Sequence, residues 1–292
     1  MKQLILGTAN FGNNYGILKN KLNLNQISEI LKLCFEKNIK IIDSAPAYGN
    51  AQKILGNFLH KYNNYKIDLI SKTPQIFSEH QIYEKINKSI DITLEFMNLK
   101  KINTLLVHNI SNFLKVNPRV FAQSLIKLKK EGKVKKIGIS IYEVTEFEAV
   151  KNFFMPDVVQ LPLSIIDQRF LKKKFLENLK KMKCEIHARS IFFQGLLLLN
   201  YEEIPKKLSK IKKSLSLVDK LCIEHSISRL KLILNFIHSI DEIDAFLVGI
   251  RSKDNLIEIL NEMNTLNTKK YKICYEKFSL NNPKILDARN WS

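Results

Sequence analysis

The chain has 292 residues, 45% hydrophobic and 26% charged, the balance of a water-soluble globular protein with a large core. Its basic residues outnumber its acidic ones, 47 to 28, for a formal charge of +19, an excess that could serve nucleic acid, an anionic membrane surface or an anionic ligand. The lysines are spread through amphipathic stretches such as 171–183 and 206–213, and no basic run is interleaved with aromatics as single-strand binding requires, so solvated helix faces are expected and a nucleic-acid partner is not.

Taken in chain order, short apolar runs alternate with amphipathic stretches. Leu4–Leu6 opens as a strand and Gly7, Gly12 and Gly16 break the chain into a loop. Residues 25–36 place Ile27, Ile30, Leu31 and Cys34 at helical spacing. The β-branched run 39–42 ends at Asp43, and a helix is predicted over 51–60. A strand at 67–71 ends at Lys72 and is followed by a helix over 79–96; a strand at 104–107 ends at His108 and is followed by a helix over 119–130. Residues 136–139 form a strand ending at Ser140 with a helix over 145–153, and 157–159 run into Gln160 before a helix over 169–182. A strand at 185–188, helical stretches near 205–225 and 228–239, a strand at 245–248 and a helix from about 253 close the series. Eight strand-plus-helix units with no linker and no GxGxxG after the first strand predict parallel strands closed into a single (β/α)8 TIM-type barrel across residues 1–292, since such barrels fill about 250 residues as one domain. The tail from about 264 to 292 either folds over the barrel mouth or lies on its wall.

The four cysteines (Cys34, Cys184, Cys222, Cys274) form no CxxC pair, so neither a disulfide framework nor a metal site is expected. Met1-Lys2 leads straight into a strand-like run with no signal-peptide pattern, and the apolar run around 195–199 is far short of a membrane span. A cytoplasmic protein is expected.

Catalytic groups of such barrels sit where strands end, which draws attention to Asp43 and Tyr48, Lys72, and His108 after the second, third and fourth strands. Taken singly, each has a mundane explanation: a turn cap, turn residues, a solvated lysine, a structural histidine. Together they suit one task. A phenol ionises near pH 10, and a neighbouring ammonium held by a carboxylate lowers that value. A histidine hydrogen-bonds the carbonyl oxygen that the phenol protonates.

The segment Asp43-Ser-Ala-Pro-Ala-Tyr48-Gly-Asn-Ala-Gln-Lys-Ile-Leu-Gly56 resembles the aldo/keto reductase signature. Ile70-Ser-Lys72-Thr-Pro74 and Leu105-Leu-Val-His108-Asn109 are similar to that family's Lys and His segments, Leu6–Gly12 to its first strand, and Val248–Leu256 to its cofactor phosphate loop. The resemblance implies a hydride transfer between NADPH, with NADH the lesser candidate, and a small-molecule carbonyl substrate, with Asp43, Tyr48, Lys72 and His108 catalytic. It also implies cofactor contacts from Thr8, Ala9, Ser140, Gln160, Arg189, Ser190, Gly249, Arg251, Ser252 and Asn255, Arg251 and Ser252 gripping the 2′-phosphate. Three positions depart from the family pattern. Ile141 replaces an Asn that contacts the carboxamide, Arg189 replaces an aromatic that stacks on the nicotinamide, and Gln52 replaces a Glu, with an expected effect on helix capping or cofactor contacts. Phe11, Tyr15, Phe77, Tyr142, Phe192 and Phe193 are candidate pocket walls, which with Asn10, Asn13 and Asn14 would suit a sugar-type carbonyl. A general aldehyde reductase is the alternative substrate reading, and a nicotinamide-nucleotide-binding regulatory subunit with little or no turnover is the rival from another class.

Overall fold

The computed structural model describes residues 2–12, 16, 22–266 and 273–291. Eight parallel strands close into a barrel in sequence order, β8 returning to pair with β1. They are β1 (Gln3–Gly7), β2 (Ile41–Asp43), β3 (Asp68–Lys72), β4 (Ile102–Val107), β5 (Val134–Ser140), β6 (Val158–Pro162), β7 (Glu185–Arg189) and β8 (Ala245–Gly249). The helices are α1 (Ala9–Gly12), α2 (Leu24–Glu36), α3 (Ala51–Lys61), α4 (Ile82–Met97), α5 (Ile110–Lys115), α6 (Pro118–Lys130), α7 (Val144–Val150), α8 (Phe175–Lys181), α9 (Ile211–His225), α10 (Arg229–His238), α11 (Lys253–Asn264) and α12 (Pro283–Leu286).

Local chemistry sets many of the helix starts. Asn23 and Gln26 form a reciprocal capping box on α2, and Asn109, Asn117, Ser228 and Ser252 each accept from the third residue beyond them on α5, α6, α10 and α11. Two sequence expectations were too simple. The helix read over 169–182 is a 3-10 turn (Arg169–Lys174) broken from α8, with Lys173 and Lys174 at φ of 54° and 55°. Arg169 is pinned there by a bidentate pair to Asp167, which fixes the turn before the helix can begin. The stretch read near 205–225 likewise begins as a 3-10 turn (Lys206–Leu208) ahead of α9. The short α5, directly after His108, lacks a long enough apolar repeat to have been read.

Two apolar regions hold the barrel. One, between strands and helices, runs round the whole fold. The other is a plug inside the barrel made of Ile5, Ile70, Leu106, Val158 and Ala245, with Ile41 and Leu247 against it. Because side chains alternate along a strand, the residues two positions beyond the plug also point inward, one step nearer the mouth. From Ile41, Ile70, Leu106 and Val158 that step reaches Asp43, Lys72, His108 and Gln160. The fold thus gathers the polar groups above an apolar floor.

The tail returns to the loops that follow β6 and β7. Leu280 donates its N–H to Ile166 O at 2.8 Å and Gln168 Nε2 donates to Tyr275 O at 2.7 Å. Trp291 packs edge-on against Phe193 at 4.9 Å, and the Arg289 guanidinium lies 3.8 Å from the centre of the Tyr142 ring.

Candidate active site

At the closed end of the mouth, Lys72 Nζ lies 2.5 Å from Asp43 Oδ1, both side chains only 2% exposed. The second carboxylate oxygen accepts from Gln160 Nε2 at 3.0 Å, and the Thr8 hydroxyl donates to Asp43 O at 3.0 Å. The Lys72 ammonium is 5.0 Å from the centre of the Tyr48 ring, and Tyr48 meets His108 edge to face at 6.0 Å. All four strand-end residues therefore meet at one point. Gly12 keeps the Tyr48 turn close: a Cβ there would sit 1.9 Å from Tyr48 O, inside backbone contact distance.

Burial first and Asp43 second push the Tyr48 phenol above its usual value, and the Arg189 cation opposes them. His108 is pulled down to about 4, chiefly by burial and then by Lys72, so its imidazole is neutral at pH 7. A histidine with a lowered folded value binds fewer protons folded than unfolded between pH 6.5 and about 4, so stability falls as pH drops through that window. A His108→Gln variant should lose less stability than the parent on acidification from pH 6.5 to 4, by on the order of 3 kcal/mol, measured by denaturant unfolding at each pH. Parallel curves would remove this account.

A cavity of about 560 Å³ runs from this end along the mouth, lined by Thr8, Ala9, Asp43, Tyr48, Gln160, Arg189, Ser190, Phe192, Gly249, Arg251 and Asn255, a volume ordinary for ligand sites. Ser190, Phe193 and Gln194, in the loop after β7, have φ of 60°, 52° and 57°, backbone strain of the kind that gathers at ligand sites. Arg251 crosses the cavity to reach Gln194 O at 3.4 Å.

Several expected residues lie elsewhere. Phe11 is fully buried in the core and presents no face to a ligand. Phe77 is 89% exposed and outside the cavity lining. Phe193 is also outside it, against Trp291. Tyr142 is outside it too, its ring centre 4.1 Å from the Arg189 guanidinium and 3.8 Å from that of Arg289. Ser140 ends β5 without lining the cavity, and the Ser252 hydroxyl caps α11 by accepting from Asn255 N at 3.1 Å. Tyr15, Asn13 and Asn14 lie outside the described residues. Gln52 neither caps a helix nor faces the cavity: it bridges Ser71 and Thr93 at 3.3 and 3.1 Å, tying α3 to β3 and α4. Of lining residues not anticipated, Leu247 stands two positions before Gly249 and Glu258 three after Asn255, spacings that strand and helix periods make readable. Leu198 ends a 3-10 turn and Ser228 caps α10, and neither position carries such a signal.

A polar site at the C-terminal mouth of a (β/α)8 barrel is the arrangement of an enzyme. The family model for the aldo/keto reductase family matches residues 3–277, and the chain belongs to this family of nicotinamide-dependent oxidoreductases. It is similar to an uncharacterised oxidoreductase of Schizosaccharomyces pombe, 23% identical over 236 residues covering 79% of this chain and 82% of that one. It is also similar to the L-galactose dehydrogenase of Arabidopsis thaliana, 28% identical over 238 residues covering 77% and 73%. A thermostable aldo-keto reductase solved with the inhibitor epalrestat shares the fold at a TM-score of 0.68 with 16% identity, covering 98% and 94% of the two chains. Among the described residues no helix is long and apolar enough to cross a membrane, and no cluster of His, Cys, Asp and Glu could hold a metal ion.

Proposed function

We propose that this oxidoreductase reduces an aldehyde or ketone with NADPH, Tyr48 donating the proton. The observation that carries the reading is the buried Lys72–Asp43 pair, set beside Tyr48 and His108, with Asp43 and Tyr48 lining the cavity and Lys72 and His108 behind them outside its lining.

The residues present fit a dinucleotide. Asn10 Oδ1 is buried and lacks a partner while its residue lines the cavity. Nothing lies within 4 Å of where a Cβ on Gly249 would be, so the backbone there is open to the cavity. Arg251 has no carboxylate partner among the described residues and stands just before the N-terminus of α11, where a cation and free N–H groups suit a phosphate. Gln160 and Arg189 would hold the nicotinamide end, Ser190 the pyrophosphate, and Thr8, Ala9, Gly249, Arg251 and Asn255 the rest.

When bound, the reduced nicotinamide supplies the hydride. His108, neutral at pH 7, donates one ring N–H to the carbonyl oxygen and aims it at Tyr48. Tyr48 then releases its proton to that oxygen as it becomes an alkoxide. An alkoxide is far more basic than a phenolate, so the raised Tyr48 value still permits donation. The reverse reaction needs the phenolate as base, the form that burial disfavours. Lys72 and Gln160 keep Asp43 fixed beneath the phenol.

A sugar-type carbonyl is the proposed substrate class, supported by the name of the Arabidopsis relative and by a mouth that offers Asn10 and Gln194 beside Phe192. The test is fluorescence titration with NADPH and NADH, followed by NADPH oxidation against aldehydes, ketones and keto-sugars. Turnover of one carbonyl supports the reading; tight binding without turnover of any would replace it with a nucleotide-binding subunit. An Arg251→Ala variant should bind NADPH about 10- to 100-fold more weakly while NADH binding stays within a few-fold, because one charge-assisted phosphate contact is lost. Equal losses for both nucleotides would remove Arg251 from the phosphate.

A further inference from the structure

Three arginines line the cavity: Arg189, Arg229 and Arg251. Arg229 is neutralised by Asp219, with Nη2 2.7 Å from Oδ2. Arg251 stands by α11, where a phosphate would take its charge. Arg189 stands at the opposite, reacting end. It ends β7 in the space shared with Tyr48 and Gln160, and among the described residues it has no carboxylate within ion-pair distance. The other cations around it are spent: Lys72 on Asp43 at 2.5 Å, Arg289 on Asp287 at 2.6 Å.

The guanidinium is also held still. Nη2 donates to Ile141 O at 3.0 Å, and the guanidinium lies 4.1 Å from the centre of the Tyr142 ring, which Arg289 also approaches at 3.8 Å. A backbone carbonyl and an aromatic ring orient a guanidinium without cancelling its charge. Its field reaches the reacting groups, opposing the rise of Tyr48 and adding to the fall of His108.

We propose that Arg189 is an electrostatic bias on the redox state of the bound nucleotide, favouring NADPH over NADP⁺. This rests on the nucleotide reading above. Hydride transfer moves two electrons and a proton nucleus from a neutral dihydronicotinamide to the carbonyl carbon, Tyr48 supplies the second proton to oxygen, and a cationic ring is left. An uncompensated cation fixed at the ring's end of the cavity repels that product and leaves the neutral reactant unaffected. Arg189 thereby drives hydride out of the cofactor and speeds loss of the oxidised form. The device extends to the tail: Arg289, neutralised by Asp287, supports Tyr142 and through it the Arg189 plane, which makes Arg289 a positioning residue.

The test is the ratio of dissociation constants for NADP⁺ and NADPH, measured by fluorescence titration without substrate. The wild type should prefer NADPH by at least about tenfold, a shift of about 30 mV in the two-electron potential of the bound couple. Arg189→Gln should bring the ratio near one, chiefly through tighter NADP⁺, whereas Arg189→Lys, which keeps the charge, should hold it. A ratio unchanged in Arg189→Gln, with both affinities intact or both reduced alike, would overturn the proposal while leaving the nucleotide reading in place. Failure of the wild type to bind either nucleotide would overturn both.

Discussion

A Tyr48→Phe variant should bind NADPH as the parent does and lose turnover by about 10²- to 10⁴-fold, the range that a positioned general acid contributes. The substitution removes one hydroxyl and little else. The ring lies against His108 and beneath it the Lys72–Asp43 pair is unchanged, so the cavity keeps its shape. Binding and turnover are therefore separable: titration reads the first, and single-turnover oxidation of NADPH with a carbonyl substrate reads the second. Turnover within a few-fold of the parent would take the proton-donor role from Tyr48 and hand it to His108 or to water.

The largest stability effect is expected from Lys72→Met. The variant leaves the Asp43 carboxylate, 2% exposed, with Gln160 Nε2 at 3.0 Å as its main remaining side-chain partner. Removing one member of a buried pair strands the other's charge in a medium that solvates it poorly, at a cost of about 3–5 kcal/mol. Urea unfolding at pH 7 would read it. Asp43→Asn alone should also destabilise, since it strands the ammonium. The double variant should recover much of the loss, because neither charge is then left uncompensated. Strictly additive losses would mean that the two groups are stabilised by separate surroundings and not by each other.

The barrel and the closed end of its site were legible because both follow from local rules. Alternation of short apolar runs with 3.6-period stretches implies parallel strands with helical crossovers. The period of two along a strand places Lys72 on the face of Ile70, and His108 on the face of Leu106. Where local rules end, the reading failed. Phe11 sits beside a lining residue, Asn10, yet points into the core, because α1 turns its side chain there. Gln52 was expected to touch a helix end or the cofactor and instead joins two buried hydroxyls brought together by the packing of α3 on α4. Neither orientation is encoded in spacing.

What the sequence by itself determined is the order of strands, the residues at their ends and the chemistry those residues can do, because each depends on neighbours a few positions away. Only the tertiary structure decided which charges survive. Lys72 meets Asp43 across 29 positions, burial of the Tyr48 phenol beside them raises it, and Arg289 reaches Tyr142 from the far end of the chain. Arg189 is left without a carboxylate in the space it shares with Tyr48. Coulomb interactions depend on distance in space and on burial, and both are set by closure of the barrel rather than by separation along the chain.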